Sequence, residues 1–216
     1  MSIHIIGVPF SNLVRSVLLC CEEKNIAYSL GMQYQAHPIE LKSSALTALN
    51  PLGKIPVLVH DDFILSETQS ILRYLDRQFP STSLQGRNNR EQALIDQWCA
   101  VFNQQTDLIC VRNYLLEWAF PKGDNGQLRT DVIAKAKPAV EQHLALLSGV
   151  LGDKPYWVGE ALSLADLLLL PMLDYLLALP DGDTLFGPAE NLRAYTQRLQ
   201  QRPSSRKILR PKNQPA

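Results

Sequence analysis

Two stretches bring together residue types that could hold and activate a small ligand. The first is Asn50-Pro51-Leu52-Gly53-Lys54-Ile55-Pro56-Val57-Leu58, followed after a short gap by Ser66-Glu67-Thr68-Gln69-Ser70. Two prolines bracket a glycine, which makes a rigid loop, and the apolar run after it has strand character. Ser66 is a favoured helix N-cap, Gln69 completes a capping box, and Glu67 adds a carboxylate to the first turn. A helix N-terminus offers unpaired N–H groups and partial positive charge, which suits a ligand carboxylate. The competing reading is that acidic and hydroxyl residues simply favour helix starts. The second stretch is Ser11 with Arg15. A serine just before a helix is an N-cap, worth about 1 kcal/mol. A serine nucleophile would need a histidine base with its own orienting group, and none of His4, His37, His60 and His143 stands in such a context. Ser163-Leu164-Ala165-Asp166 looks catalytic by its residue types, but it opens a very apolar segment and reads as a capping box. Asp166 is costly there unless it accepts backbone N–H bonds, so the expected role of Ser163 and Asp166 is structural.

The elements that must position these residues follow from periodicity. Residues 3–7 read as a short buried strand. Residues 12–24 read as a helix with Leu13, Val17, Leu18 and Cys21 on one face and Arg15, Glu22, Glu23 and Lys24 largely elsewhere. Asn25 is a helix stop, and residues 27–32 form a second strand, so the three elements fit a right-handed βαβ unit. Residues 34–49 are loop-like and become weakly helical from Ser43. A strand pair follows Pro56, then a helix over about 67–79, whose Arg73 and Asp76 fall on its outer side. The order β-α-β-α-β-β-α makes a small α/β domain over residues 1–80.

Pro80-Ser81-Thr82-Ser83, Gly86 and Asn88-Asn89 break that pattern, and 81–89 reads as a linker. Residues 90–216 are nearly all helical by pattern, with Leu94, Trp98, Val101 and Phe102 on one face. A helix over 128–151 contains Pro138, which predicts a kink or a break. The segment after Ser163 is a very apolar helix, the last amphipathic helix spans about 191–201, and the tail carries Pro203, Pro211 and Pro215 and wraps or frays.

The 216 residues are 46% hydrophobic and 19% charged with a formal net charge of zero, a globular composition without the basic footprint of a nucleic-acid binder. Cys20, Cys21, Cys99 and Cys110 form no CxxC pair and no zinc-type cluster, and each reads as a small buried hydrophobe. The N-terminus lacks the basic start and apolar core of a signal peptide, and the leucine run 167–170 is far too short to span a bilayer. A soluble, reducing compartment is expected, with no metal, no nucleic acid and no membrane partner.

Ser11 with Arg15, the 50–58 stretch, Ser66-Glu67-Thr68-Gln69-Ser70-Ile71-Leu72-Arg73-Tyr74-Leu75 and Ser163-Leu164-Ala165-Asp166, in this order and spacing, resemble the cytosolic glutathione S-transferase family over nearly the whole chain. The likeness is to the serine-type classes, delta or phi-like, or to bacterial members. It implies an α/β thioredoxin-like N-terminal domain plus an all-α C-terminal helical domain, with glutathione as cosubstrate. It implies a cis bond before Pro56, so that Ile55 offers its N–H and C=O to the cysteinyl part of glutathione. Thr68 and the helix N–H groups would take the γ-glutamyl carboxylate, and Glu67 the amino group. Lys42 would neutralise the glycyl carboxylate, and Lys54 would face the ligand backbone. Many members have Ser where Thr68 stands, which keeps the hydroxyl.

The same resemblance gives Ser11 a non-covalent task, a hydrogen bond to the glutathione sulfur. A free thiol has a pKa of about 8.5 and is only about 3% thiolate at neutral pH. Lowering that by about two units needs only about 2.7 kcal/mol, within reach of one charge-assisted hydrogen bond plus the positive end of a helix. The second substrate would be a small hydrophobic electrophile held between the domains, with Phe10, Phe102, Thr106, Ile109 and Tyr114 as candidate lining, although such residues at helical spacing are usually core. The expected activity is conjugation of the glutathione thiolate to that electrophile, in the cytoplasm, by a homodimer. The alternatives are a glutathione-dependent peroxidase or isomerase, and a non-catalytic interaction module of the same fold. Thiol–disulfide exchange ranks lower, because it wants a cysteine where Ser11 stands.

Overall fold

A computed structural model of the protein describes residues 2–79 and 81–209. The described residues fall into two compact units. One is the chain up to Gln85 together with the segment from Pro203 on, and the other is Gly86–Arg202.

The first unit is built on a mixed four-stranded sheet. β1 (Ile3–Ile6) leads through α1 (Asn12–Glu23) to β2 (Tyr28–Gly31), which lies parallel to β1. A small hairpin, β3 (Gln33–Tyr34) and β4 (His37–Pro38), precedes α2 (Ser44–Leu49). β5 (Val57–His60) and β6 (Phe63–Ser66) then complete the sheet order β2-β1-β5-β6, with both new pairings antiparallel. α3 (Thr68–Gln78) closes the set. The β3–β4 hairpin replaces part of the loop expected over 34–49. It has no alternating apolar signal to announce it, since each strand is only two residues long.

α1 ends where Asn25 was expected to stop it. Asn25 has φ 54°, its N–H donates to the Glu22 carbonyl, and the Ile26 N–H reaches back to the Cys21 carbonyl, which is the Schellman arrangement. The helix is not amphipathic in the structure. Every residue from Val14 to Cys21 is buried, Arg15 included, because α3 and a C-terminal helix pack against α1 in addition to the sheet it crosses. Close approach of α1 to the end of β1 also needs Gly7, where an added Cβ would lie 2.6 Å from Val14 Cγ2. Ile6, Val57, Val59, Ile39 and Leu46 form the core on the α2 side, each such side chain contributing roughly 1.5–3 kcal/mol by burial.

The second unit is helical. α4 (Asn89–Val101) continues into a π-helical segment, Phe102–Leu115, and then α5 (Leu116–Ala119). The buried face of α4 is Ile95 and Cys99, continued by Phe102, whereas Leu94 is exposed. The expected face was one residue out, because α7 (Leu164–Leu177) and not α4 alone sets which side is covered. α7 is buried on nearly all sides, as a helix apolar around its whole circumference must be. α6 (Thr130–Leu151) runs through Pro138 without a break. α8 (Gly182–Phe186) and α9 (Glu190–Gln200) follow.

Over its described residues, 203–209, the tail wraps back onto the first unit. Pro203–Ile208 forms α10, which packs on α1 in the first unit, with Ser204 donating to Glu23 and Lys207 Nζ 2.7 Å from Glu22 Oε1. Among the described residues the helical unit is Gly86–Arg202. Residue 80 and the prolines at 211 and 215 lie outside the described residues.

Candidate functional site

Strand register gathers the candidate residues of the first unit. Ile6 pairs with Val57, and Val57 pairs with Ser66. The exit of β1 toward Ser11, the entry to β5 from Ile55–Pro56 and the exit of β6 into Glu67–Thr68 therefore lie at one end of the sheet. Residues far apart in sequence converge because three neighbouring strands terminate together.

The loop before β5 is braced from within. Asn50 Nδ2 donates to the Lys54 carbonyl at 2.9 Å, its Oδ1 accepts the Leu52 N–H at 3.1 Å, and the Gly53 N–H closes onto the Asn50 carbonyl at 2.7 Å. Gly53 takes φ 59°, a left-handed conformation natural for glycine. The Ile55–Pro56 peptide is cis. Sequence reasoning placed Asn50 in this stretch but gave it no role, although an Asn-Pro pair is a known Asx-turn signal.

The start of α3 differs from the expected capping box. The N-cap is Glu67 and not Ser66, and Glu67 makes no side-chain cap bond. Its φ of 69° and ψ of 113° put a non-glycine in a sparsely populated region. Such strain costs of order 1–3 kcal/mol and clusters at ligand sites. The Glu67 side chain is exposed and Thr68 behind it is buried. The helix thus opens with an exposed carboxylate whose side chain does not cap it, an arrangement able to take both charges of an amino-acid end.

Ser11 is the N-cap of α1. Its Oγ accepts the Val14 N–H at 3.4 Å, a long bond, and its own N–H donates to the Val8 carbonyl at 3.1 Å. The hydroxyl can therefore accept from the helix and still donate outward. Arg15, 3% exposed, donates its Nε–H to the Pro9 carbonyl at 2.9 Å and so fixes the turn carrying Ser11. The Nδ2 of Asn12 is buried without a hydrogen-bond partner.

Lys54 is exposed beside Ile55 in the braced loop. Lys42 is exposed with φ 65° on the segment leading into α2, and register does not bring it to the others. Of the electrophile candidates, Phe10 (52% exposed) and Ile109 keep surface. The other three lie in the core of the helical unit. Phe102 stacks edge-on to Trp157 at 4.9 Å, the Thr106 hydroxyl bonds His143 Nε2 at 2.9 Å, and the Tyr114 hydroxyl donates to Asp181 Oδ2 at 2.5 Å. Helical spacing could not separate lining from core, and burial assigns these three to core.

Ser163 and Asp166 form a capping box on α7. The fully buried Asp166 carboxylate accepts the N–H groups of Trp157 and Ser163 at 2.8 Å and the hydroxyls of Ser163 and Tyr195 at 2.6 Å. All four cysteines are buried. Burial pushes Cys21 and Cys110 up to about 12 and raises Cys20 as well, so none of these three is a ready thiolate. Among the described residues no cluster of histidine, cysteine or acidic side chains could hold a metal, and no helix is long and apolar enough to cross a membrane.

Comparison with known proteins adds the ligand that geometry alone leaves open. Residues 5–83 match the N-terminal domain of glutathione S-transferase and residues 113–203 match its C-terminal domain. Glutathione S-transferase 1 of Dianthus caryophyllus is 31% identical over 169 residues, which cover 73% of each chain. The chain belongs to the glutathione S-transferase family. Within this family it is also 28% identical over 204 residues to glutathione S-transferase F14 of Arabidopsis thaliana, covering 92% of this chain and 79% of that one. The crystal structure of glutathione transferase F2 from Populus trichocarpa matches with a TM-score of 0.83 at 26% identity, over 96% of this chain and 97% of that one. These plant F-series transferases agree with the phi-like side of the expected resemblance. The mixed sheet with its cis-proline loop is the family's thioredoxin-like N-terminal domain, and the helical unit is its C-terminal domain.

Proposed function

We propose that this protein conjugates the thiolate of glutathione to small hydrophobic electrophiles. The observation that carries the reading is the convergence of Ser11, the Ile55–Pro56 loop and Glu67–Thr68 at one end of the sheet. In this reading the peptide edge of Ile55 holds the cysteinyl part by backbone hydrogen bonds. Glu67 pairs with the γ-glutamyl amino group, and Thr68 with the first N–H groups of α3 takes the neighbouring carboxylate. Lys54 and Lys42 balance the remaining negative charge of the tripeptide. The Ser11 hydroxyl donates to the sulfur at the positive end of α1 and stabilises the thiolate over the thiol. Burial of all four cysteines in the described residues disfavours thiol–disulfide exchange by the protein itself. We further infer a homodimer in the cytoplasm, which family membership supports.

The test is a titration of the bound glutathione thiol by its thiolate absorbance, with turnover of a chlorodinitrobenzene-type acceptor measured alongside. The wild type should ionise about two units below free thiol, and Ser11→Ala should return it toward about 8.5 with roughly 25-fold lower kcat at neutral pH. Unchanged ionisation and turnover in Ser11→Ala would remove Ser11 from the chemistry. Failure of the wild type to bind immobilised glutathione would favour an interaction module.

A further inference from the structure

A second concave site lies at the opposite end of the same sheet. It has a volume of about 200 Å³ and its lining includes His4, Gln33, Tyr34, Gln35, Val59 and Asp61. The register separates it from the glutathione end. Ile6 faces Val57 there, whereas His4 faces Val59 two residues along, and Asp61 lies further still. At about 3.3 Å per residue, Val59 and Asp61 stand about 7 and 13 Å along the strand from Val57.

The backbone around this cavity is strained. The β3–β4 turn places Gln35 at φ 48° and Ala36 at φ 64°, the two positive values of a type I′ turn that normally takes Asn-Gly. Asp61, in the β5–β6 turn, has φ 55°. Three non-glycine residues in left-handed conformation thus meet at one cavity, and strain of this kind concentrates at binding sites.

The side chains define what the cavity can accept. His4 is no metal ligand or base, because Nδ1 is 2.8 Å from Ser29 Oγ and Nε2 is 2.9 Å from the Gln33 carbonyl. Its ring offers only a face and carbon edges. Gln35 Nε2 donates to the Tyr34 hydroxyl at 3.3 Å, which orients that pair. Asp61 is the one acidic side chain of the lining, no lysine or arginine is among the lining residues, and Asp61 Oδ1 accepts the Ser2 N–H at 2.9 Å. That hydrogen bond holds its carboxyl below the ordinary range, so it is ionised at neutral pH. A carboxylate, an aromatic face and carboxamide oxygens fit a planar cation and repel an anion such as glutathione. The volume is below the roughly 300 Å³ at which drug-sized sites begin.

We propose that this cavity binds a small organic cation, an amidinium or guanidinium on a short apolar body, independently of glutathione. Asp61 accepts its N–H groups, Tyr34 covers its face, and Gln33 and Gln35 orient it.

The test is titration of the full-length protein with benzamidinium, followed by amide NMR, with benzoate as the anionic control. Saturable shifts at Tyr34, Ala36 and Asp61, unchanged by saturating glutathione and absent with benzoate, are expected. Asp61→Asn, which keeps an acceptor for Ser2, and Tyr34→Leu should each weaken binding at least about ten-fold while glutathione binding persists, a loss of about 1.4 kcal/mol. No saturation by about 10 mM (a free energy near −3 kcal/mol), equal binding of benzoate, or undiminished binding in Asp61→Asn would overturn the proposal.

Discussion

Lys24 Nζ lies 2.7 Å from Asp76 Oδ1, with both side chains almost wholly buried. The same carboxylate accepts the Leu84 N–H at 3.0 Å and the Gln85 amide at 3.0 Å. One ion pair thus ties the end of α1 to α3 and to the chain leaving the first unit. By sequence Lys24 lay off the apolar face of its helix and Asp76 on the outer side of α3, and tertiary packing places both inside. Burial pushes the Asp76 carboxyl up, but the Lys24 ammonium and the two N–H donors outweigh it and hold it below the usual range. A depressed folded pKa means a contribution present above about pH 4 and lost as pH falls through the folded value. Asp76→Asn should cost about 3–5 kcal/mol near pH 7, because it leaves Lys24 charged and unpaired. In urea melts the gap to wild type should shrink below about pH 4, and a gap independent of pH would contradict the pairing.

His143 gives the opposite end of the pH scale. It is buried against the Thr106 hydroxyl, and burial lowers its pKa. A histidine held neutral in the fold is protonated first in the unfolded chain, so stability falls as pH drops below about 6.5. His143→Gln, whose amide can keep the Thr106 bond, should flatten the thermal-melting profile between about pH 7 and 5. A profile as steep as the wild type would place that titration elsewhere.

Glu67 trades backbone strain for position. With φ at 69°, glycine would relax the site. Glu67→Gly should therefore match or exceed wild-type stability by about 1 kcal/mol, strain relief outweighing the entropy of a more flexible unfolded chain. Glutathione affinity should drop all the same, since the carboxylate is gone. Glu67→Gln should keep the strain and lose only affinity. Calorimetry of both variants reads the two effects separately, and unaltered glutathione binding in both would exclude Glu67 from the site.

Asp166 should matter to folding and not to chemistry. Truncation to alanine strands two buried N–H groups and the Tyr195 hydroxyl, at about 1–3 kcal/mol for each group left unsatisfied. Ser163→Ala should cost nearer 1 kcal/mol. In both variants the soluble folded fraction should keep wild-type kcat for the chlorodinitrobenzene-type acceptor. A large kcat loss in well-folded Ser163→Ala would reverse the assignment.

The sequence by itself determined the local structure around the site. Proline and glycine restrict φ wherever they occur, so the loop over 50–56 was legible as a rigid turn. Ser11 before α1 and Ser163-x-x-Asp166 before α7 were legible as caps, because capping depends on neighbours within one turn. The tertiary structure decided what depends on partners distant in sequence. It chose Glu67 over Ser66 as the cap of α3, since pairing Ser66 with Val57 keeps that residue in the strand. It turned all of residues 14–21 inward, because α3 and α10 cover the side that periodicity left to solvent. It also moved Phe102, Thr106 and Tyr114 from candidate lining to core, for an aromatic on a helix looks the same in sequence whichever neighbour covers it. Local rules name the groups that can hold a ligand, whereas the register of β1, β5 and β6 brings them to one place, and that register is fixed only when all three strands pair.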